Sequence, residues 1–322
     1  MMPSFSIVVP VYNVAPYLHH SMDSIIASAD NYSGTVEIVC VDDGSSDDCC
    51  NILNEYAARD ARVKVIHQPN AGVGAARQSA LDILTCDWML SVDPDDWIDV
   101  GYISEFARAI SDNPSVDMVW CDYYVDARNN RVRVDNRCLD NPLEQLKSVI
   151  RPGGLWAALW IRAFRLEFIK KHHLRFCVGR QIVMEDLLFI SDFLLKCPRI
   201  KWFDSCCYHY RQNELSLTHA GWNDDKFVRQ GNVLKTLLDK VNDPDVRSCL
   251  FARIKLFLSG TYHQTKISDD AFKVVFPEIR SVDEIDIAVW HKLFYKLSRH
   301  GLRSLILRLL AVIRLIRRGS GE

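Results

Sequence analysis

Trp88-Met89-Leu90-Ser91-Val92-Asp93-Pro94-Asp95-Asp96-Trp97 is an apolar run of strand length that ends in three carboxylates. A strand this apolar is covered on both faces, the signature of a parallel sheet sandwiched between helices. Two carboxylates at i and i+2 of an extended turn aim at one hard cation, and Mg2+ or Mn2+ takes one or two such groups plus phosphate oxygens. Three acids so close repel one another without a cation. The plainer alternative is a solvated acidic turn that starts the next helix.

Similar runs lie upstream and downstream, at Phe5–Val11, Val36–Val41, Val63–His67 and Met118–Tyr124. Between them the spacing predicts helices near Pro16–Ala29, Ser46–Ala58, Val73–Leu84 and Gly101–Ser111, with Ser46 and Asp99 as N-caps. Strands alternating with helices give an α/β class with a doubly wound, mostly parallel sheet. In such sheets the ligand sits beyond the carboxyl ends of the strands. Leaving those ends are Tyr12-Asn13, Asp42-Asp43-Gly44-Ser45, Pro69-Asn70-Ala71-Gly72 and the Asp93–Asp96 turn. Asp42 and Asp43 are placed to accept hydrogen bonds from a ligand, although Ser45 and Ser46 serve equally as helix caps.

Gly72-Val73-Gly74, followed by a helix and by Asp93, imitates part of a dinucleotide fingerprint. Arg77 stands where the third glycine belongs, and the fragment follows the third strand, not the first. A long cation near a helix N-terminus suits a diphosphate. Farther on, Glu185-Asp186 enters an apolar helix. Acids in a first turn are favoured by the helix dipole alone, but one of them is also suited to act as a general base. Beyond residue 127 the alternation fades: helix-like segments are expected at Leu155–Lys171 and Glu185–Leu195, a strand at Ile200–Tyr210, and helices from Asn223 with a break at Asp283.

The 322 residues are 48% hydrophobic and 25% charged with a net charge of −2, which fits a packed globular protein and excludes a nucleic-acid binder by charge. Eleven cysteines, including two vicinal pairs and no C-x-x-C, suggest reduced thiols and a cytoplasmic setting. No signal peptide or membrane span is read from the sequence. Ile287–Gly321, however, carries eight Lys/Arg and no acid, leaving the body acidic. As one helix, it would set most of these cations on one arc, suited to an anionic membrane surface.

Taken in order, Ser6–Asn13, Val41–Asp47, Asn70-Ala71-Gly72 through Ala76-Arg77, Asp93–Asp96 and Glu185-Asp186 resemble a family 2 glycosyltransferase of the GT-A fold, of the bacterial polysaccharide-assembly type. The resemblance implies an inverting, metal-dependent transfer from a nucleoside diphosphate sugar, UDP-linked, to a glycan or lipid-linked acceptor. Pro10, Tyr12 and Asp43 match positions that hold the base, Asp93 the ribose-side carboxylate, Asp95 the Mg2+ or Mn2+ ligand, and Asp186 the catalytic base. Leu155 to Phe168 resembles the acceptor side. Tyr208-His209-Tyr210-Arg211 with Ser216-Leu217-Thr218 resembles a Y-x-Y-R…S-x-T element, with Arg211 facing phosphate and His209 a third metal ligand or an exposed strand residue. Residues 1–218 would form the catalytic domain (1–126 the nucleotide half, 127–218 the acceptor half) and 219–322 a C-terminal helical extension. No Q-x-x-R-W motif of processive synthases is present. A peripheral position on the inner face of the membrane is expected. A nucleotidyltransferase, an NAD-type oxidoreductase, or a catalytically dead nucleotide-sugar binder stays open.

Overall fold

The computed structural model describes residues 2–127, 130–155, 157–178, 184–212 and 223–261, with 267, 268, 270 and 271. The chain divides into two compact units, Met1–Val149 with Leu155–Ser216, and Ile150–Gly154 with Leu217–Glu322.

The first unit begins with regular alternation: β1 (Phe5–Val11), α1 (Ala15–Asp30), β2 (Val36–Asp42), α2 (Cys49–Arg59), β3 (Val63–His67), α3 (Val73–Leu81) and β4 (Trp88–Ser91). Then follow β5 (Trp97–Ile98), α4 (Tyr102–Asp112), β6 (Met118–Trp120), β7 (Tyr123–Ala127), β8 (Asn130–Val134) and α5 (Pro142–Ile150). After a 3-10 turn at Leu159–Ile161 come β9 (Arg162–Arg165), α6 (Leu166–Lys171), α7 (Glu185–Leu194), β10 (Ile200–Trp202) and β11 (Tyr208–Arg211). Among the described residues a seven-stranded sheet runs β10-β6-β9-β4-β1-β2-β3, and a four-stranded sheet runs β5-β11-β7-β8.

All seven residues of β1 and all seven of β2 are buried, as expected of β-branched central strands covered on both faces. β1 pairs in parallel with β2 along its whole length, but with β4 only from Phe5 to Val8. Pro10, which lacks an N–H, falls past the last β4 partner. The last bond between the two strands is Val92 N–H to Val8 O at 3.0 Å, and the Asp93–Asp96 turn follows it.

Three expectations are corrected. Leu155–Lys171 is not one helix: only its last six residues form α6, and ahead of them Ala163 and Phe164 pair antiparallel with Val119 and Met118, with Phe164 also paired to Met89, so β9 closes the space between β6 and β4. The run Met118–Tyr124 breaks in two, β6 staying in the large sheet and β7 joining the small one. The N-caps also shift. α2 starts behind Asp48, while the Ser46 N–H and hydroxyl bond to Asn13 Oδ1 at 2.8 and 3.2 Å. α4 starts behind Gly101, and Asp99 turns to His209. β9 and β10, which follow residue 126, lie in the same sheet as β1–β4.

In the second unit, α8 (Asp224–Lys240) and α9 (Pro244–Thr261) pack through stacked Phe227 and Phe257, centroids 5.0 Å apart. Asn223 caps α8 by accepting from Lys226 N–H at 2.8 Å. Ser216-Leu217-Thr218, the 218/219 boundary, the break at Asp283 and the basic tail lie outside the described residues.

Candidate active site

The base-side residues surround the ends of β1 and β2. Tyr12 is half exposed, and Asn13 after it takes a left-handed φ of 51°. Asn13 N–H donates to Ser45 Oγ at 3.1 Å, so the loops after β1 and β2 are tied together. Asp42 and Asp43 are buried, and their bonds go to the neighbouring loops and strand end. Asp42 accepts from Ser45 N–H at 2.9 Å and from His67 Nδ1 at 3.1 Å. Asp43 accepts from Gln68 Nε2, Ala71 N–H and Gly72 N–H at 2.7, 2.9 and 2.8 Å. Asp43 therefore builds the loop that launches α3. Gly44, at φ 75°, lets that loop close in, since a Cβ there would lie 2.7 Å from Asn70 N.

α3 carries Arg77 inward. Its guanidinium is buried, with Nη2 2.8 Å from Asp93 Oδ1 and Nη1 paired with Glu185 Oε1. Burial works against its charge, but Asp93, Glu185 and Asp186 outweigh that and raise its pKa. At Gly74, α3 comes close to the segment ahead of α7: a Cβ there would stand 2.2 Å from Cys177 O and 3.4 Å from Glu185 Cγ. Met184, just before the acidic pair, is held at φ 61°. A left-handed non-glycine residue at this junction stores strain where the acids are aimed.

Asp186 is partly buried at the start of α7, its Oδ1 accepting from Leu187 N–H at 2.7 Å. Burial first, then the Glu185 charge, pushes its pKa up to about 7, with Arg77 pulling the other way and Asp93 adding to the rise. Asp93 and Asp186, 93 positions apart in the chain, thus act in one another's field.

The acidic turn is held from below. Tyr208 OH donates to Asp96 Oδ2 at 2.7 Å and accepts from Asp93 N–H at 3.2 Å. Arg211 donates its N–H to Asp96 Oδ1 at 2.8 Å and its Nε–H to Asp95 O at 2.7 Å, with its guanidinium over Trp97. Asp96 is buried, and burial with the Asp95 and Asp93 charges pushes it well above the usual carboxylate range. Arg211 is thus engaged with the turn that carries the acids. His209 is not exposed: it is 1% accessible, with Nδ1 2.8 Å from Asp126, Nε2 3.1 Å from Asp99, and its ring stacked on Trp97. With both nitrogens engaged, neither is free to bind a metal in this arrangement.

Asp95 differs from its neighbours. Among the described residues no side chain is hydrogen-bonded to its carboxylate, and burial followed by the Asp93 charge pushes its pKa up to about 6. The Asp95 carboxylate, with Asp93 beside it, fits a hard divalent cation. Sequence reading missed Tyr208 as the clamp under the turn, Gly74 as the close contact of α3 with the Cys177 carbonyl, and Asn13 as the tie between loops. All three lie in quoted stretches, Tyr208 in the Y-x-Y-R element, Gly74 in Gly72-Val73-Gly74 and Asn13 after Tyr12, but the letters alone do not give these roles.

The family model for Glycosyl transferase family 2 matches residues 6–186. The chain belongs to this family. The uncharacterized glycosyltransferase EpsJ of Bacillus subtilis is 32% identical over 68% of the chain, which spans 64% of EpsJ, just under two thirds of its length. Among solved structures, S. aureus TarS 1-349 in complex with UDP-GlcNAc superposes with a TM-score of 0.68 at 19% identity, covering 94% of this chain and 89% of TarS 1-349. The mannosyltransferase PcManGT of Pyrobaculum calidifontis, in complex with GDP-Man and Mn2+, gives 0.57 at 14% identity over 96% and 88%. These structural neighbours share the GT-A architecture of this family 2 member, with its mostly parallel central sheet.

Proposed function

We propose that this family 2 chain is an inverting glycosyltransferase that moves a sugar from a nucleoside diphosphate sugar, UDP-linked, to a hydroxyl of a glycan or lipid-linked acceptor in cell-surface polysaccharide assembly. One observation carries the reading: buried Arg77 bridges Glu185 at the start of α7 to Asp93 at the end of β4, which sets Asp186 beside the acidic turn. A proton acceptor poised near neutrality next to a cation-binding turn is what attack by a hydroxyl at an anomeric carbon requires. The match to the family and the likeness to a UDP-GlcNAc-bound fold support it.

Asp186 takes the proton from the acceptor hydroxyl as that oxygen attacks the anomeric carbon. Attack from the face opposite the departing diphosphate inverts the centre. Pro10 and Tyr12 line the base side, and Asp43 shapes that side through the 68–72 loop. Asp93 reaches the ribose side, and Arg77 keeps it aligned with Glu185. Asp95, with Asp93, would hold Mg2+ or Mn2+, which when bound neutralises charge on the leaving diphosphate. The basic tail would rest on an anionic membrane surface at the inner face, close to a lipid-linked acceptor.

Calorimetric titration of the chain with UDP, GDP and NAD, each with and without Mn2+, tests the class. Binding of UDP that tightens with Mn2+, followed by release of UDP from a UDP-sugar panel, is the expected result. Binding of NAD alone would favour the oxidoreductase alternative, and UDP binding with no turnover on any donor would favour a dead site. In Asp95→Ala, the Mn2+-dependent tightening should disappear; an unchanged titration would remove Asp95 from the cation site.

A further inference from the structure

A second cluster of metal-binding groups stands apart from the acidic turn. Asp42 ends β2 and faces His67 at the end of β3 in the paired register, while Cys50 lies in the first turn of α2. Ligand atoms of Asp42, Cys50 and His67 all lie within 4.8 Å of one another. Buried Asp42 sits 3.1 Å from His67 Nδ1, and the opposite nitrogen, Nε2, is 3.9 Å from Cys50 Sγ and 3.2 Å from Asn54 Oδ1. Asn54, one helical turn after Cys50, holds the sulfur through its Nδ2 at 3.6 Å.

This is the arrangement of a carboxylate–histidine metal site. A carboxylate accepting from Nδ1–H fixes the tautomer that leaves Nε2 as a lone pair. That lone pair faces a thiol and an amide oxygen. A tetrahedral Zn2+ with bonds of about 2.3 Å to sulfur and about 2.0 Å to nitrogen holds those two atoms roughly 3.6 Å apart, close to the spacing here. Sulfur and imidazole nitrogen select thiophilic ions over Mg2+, which demands oxygen. His67 and Cys50 are both accessible at the surface, so an ion has a path in and water can complete its shell.

We propose that His67 Nε2 and Cys50 Sγ, with Asn54 Oδ1 beside them and Asp42 orienting the imidazole, form a site for one thiophilic divalent cation of the Zn2+ type. Binding displaces the thiol proton to solvent and leaves a thiolate–metal bond. The ion would pin the start of α2 to the end of β3, next to Asp43 and the loop it orders. This inference does not depend on the transferase reading.

Co2+ titration of the full chain tests it, because thiolate coordination gives a near-ultraviolet charge-transfer band that carboxylates at the acidic turn do not. One equivalent should produce the band, Zn2+ should abolish it, and excess Mg2+ should not. Cys50→Ser and His67→Gln should each lose the band, Cys206→Ser should keep it, and Asp42→Asn should keep it with affinity weakened about 10–100-fold. Absence of the band in the wild type, or its survival in both Cys50→Ser and His67→Gln, overturns the proposal. A variant-free check is iodoacetamide alkylation read by mass spectrometry. Zn2+ should protect Cys50, and equal labelling with and without Zn2+ overturns the site as well.

Discussion

The Asp186 carboxyl holds its proton up to about pH 7 in the folded chain, against an ordinary value of 3.8. A general base acts only when ionised, so kcat/KM should climb about tenfold per pH unit below 7 and level off above it, as a pH–rate profile will show. Asp186→Asn should lower kcat by about 10²–10⁴-fold and leave the UDP dissociation constant unchanged; wild-type turnover in that variant would remove Asp186 from the role. The same carboxyl affects stability. Between the unfolded and folded values the folded state binds more protons, so stability falls as pH rises through that window. Asp186→Asn, which never ionises, should therefore raise Tm, most at pH 8 and progressively less toward pH 4, measurable by calorimetry across that range. The acids themselves were legible in the sequence, because several of them gather at the carboxyl ends of apolar strands. The partners of those acids were not. Arg77 and Glu185 are 108 positions apart, and no local spacing foretells such a pair. The bonds of Asp43 to the 68–72 loop and the burial of His209 were hidden for the same reason, because each depends on loops and strands brought together only by the fold.

Among the elements, α3 and α7 are joined by the Arg77–Glu185 pair, and Gly74 of α3 lies against the Cys177 carbonyl ahead of α7. Alanine in place of a helical glycine ordinarily stabilises by about 1 kcal/mol. Here the added methyl meets a backbone carbonyl, Cys177 O, at 2.2 Å, and backbone yields poorly. Gly74→Ala should instead destabilise by about 1–3 kcal/mol and reduce kcat by pushing Glu185 away from Arg77; thermal denaturation and turnover on the same preparation check both. Strands and helices of the first half were readable because their periodicity is set by burial on two faces. β9 was not, for Arg-Ala-Phe-Arg is too short to show a period. What makes it a strand is the gap between β4 and β6, which it fills with Phe164 against Phe189 and Phe193 of α7. The D-x-D-D turn illustrates the converse. Its existence was evident from four letters, while its rigidity comes from Tyr208 and Arg211 on β11, which follow more than a hundred residues later.

For the molecule as a whole, charge is the property that sequence reports most directly and the fold least. The eight cations of residues 287–321 lie outside the described residues, yet their concentration on an otherwise acidic chain is a property of the sequence itself. Flotation with vesicles of anionic lipid should recover the full chain in the upper fraction at low salt and lose it when the chain ends at Asp286. Equal recovery of the two would dismiss the tail as the anchor. The large sheet has a further consequence. β9 lies between β4 and β6, so those two strands have no bonds to each other and wait for residues 162–165. A nascent polypeptide arrested near residue 126 presents two bare strand flanks, each able to recruit a foreign strand. Expression of that N-terminal fragment should yield aggregates, and ribosome-bound chains should gain protease resistance only after β9 has emerged.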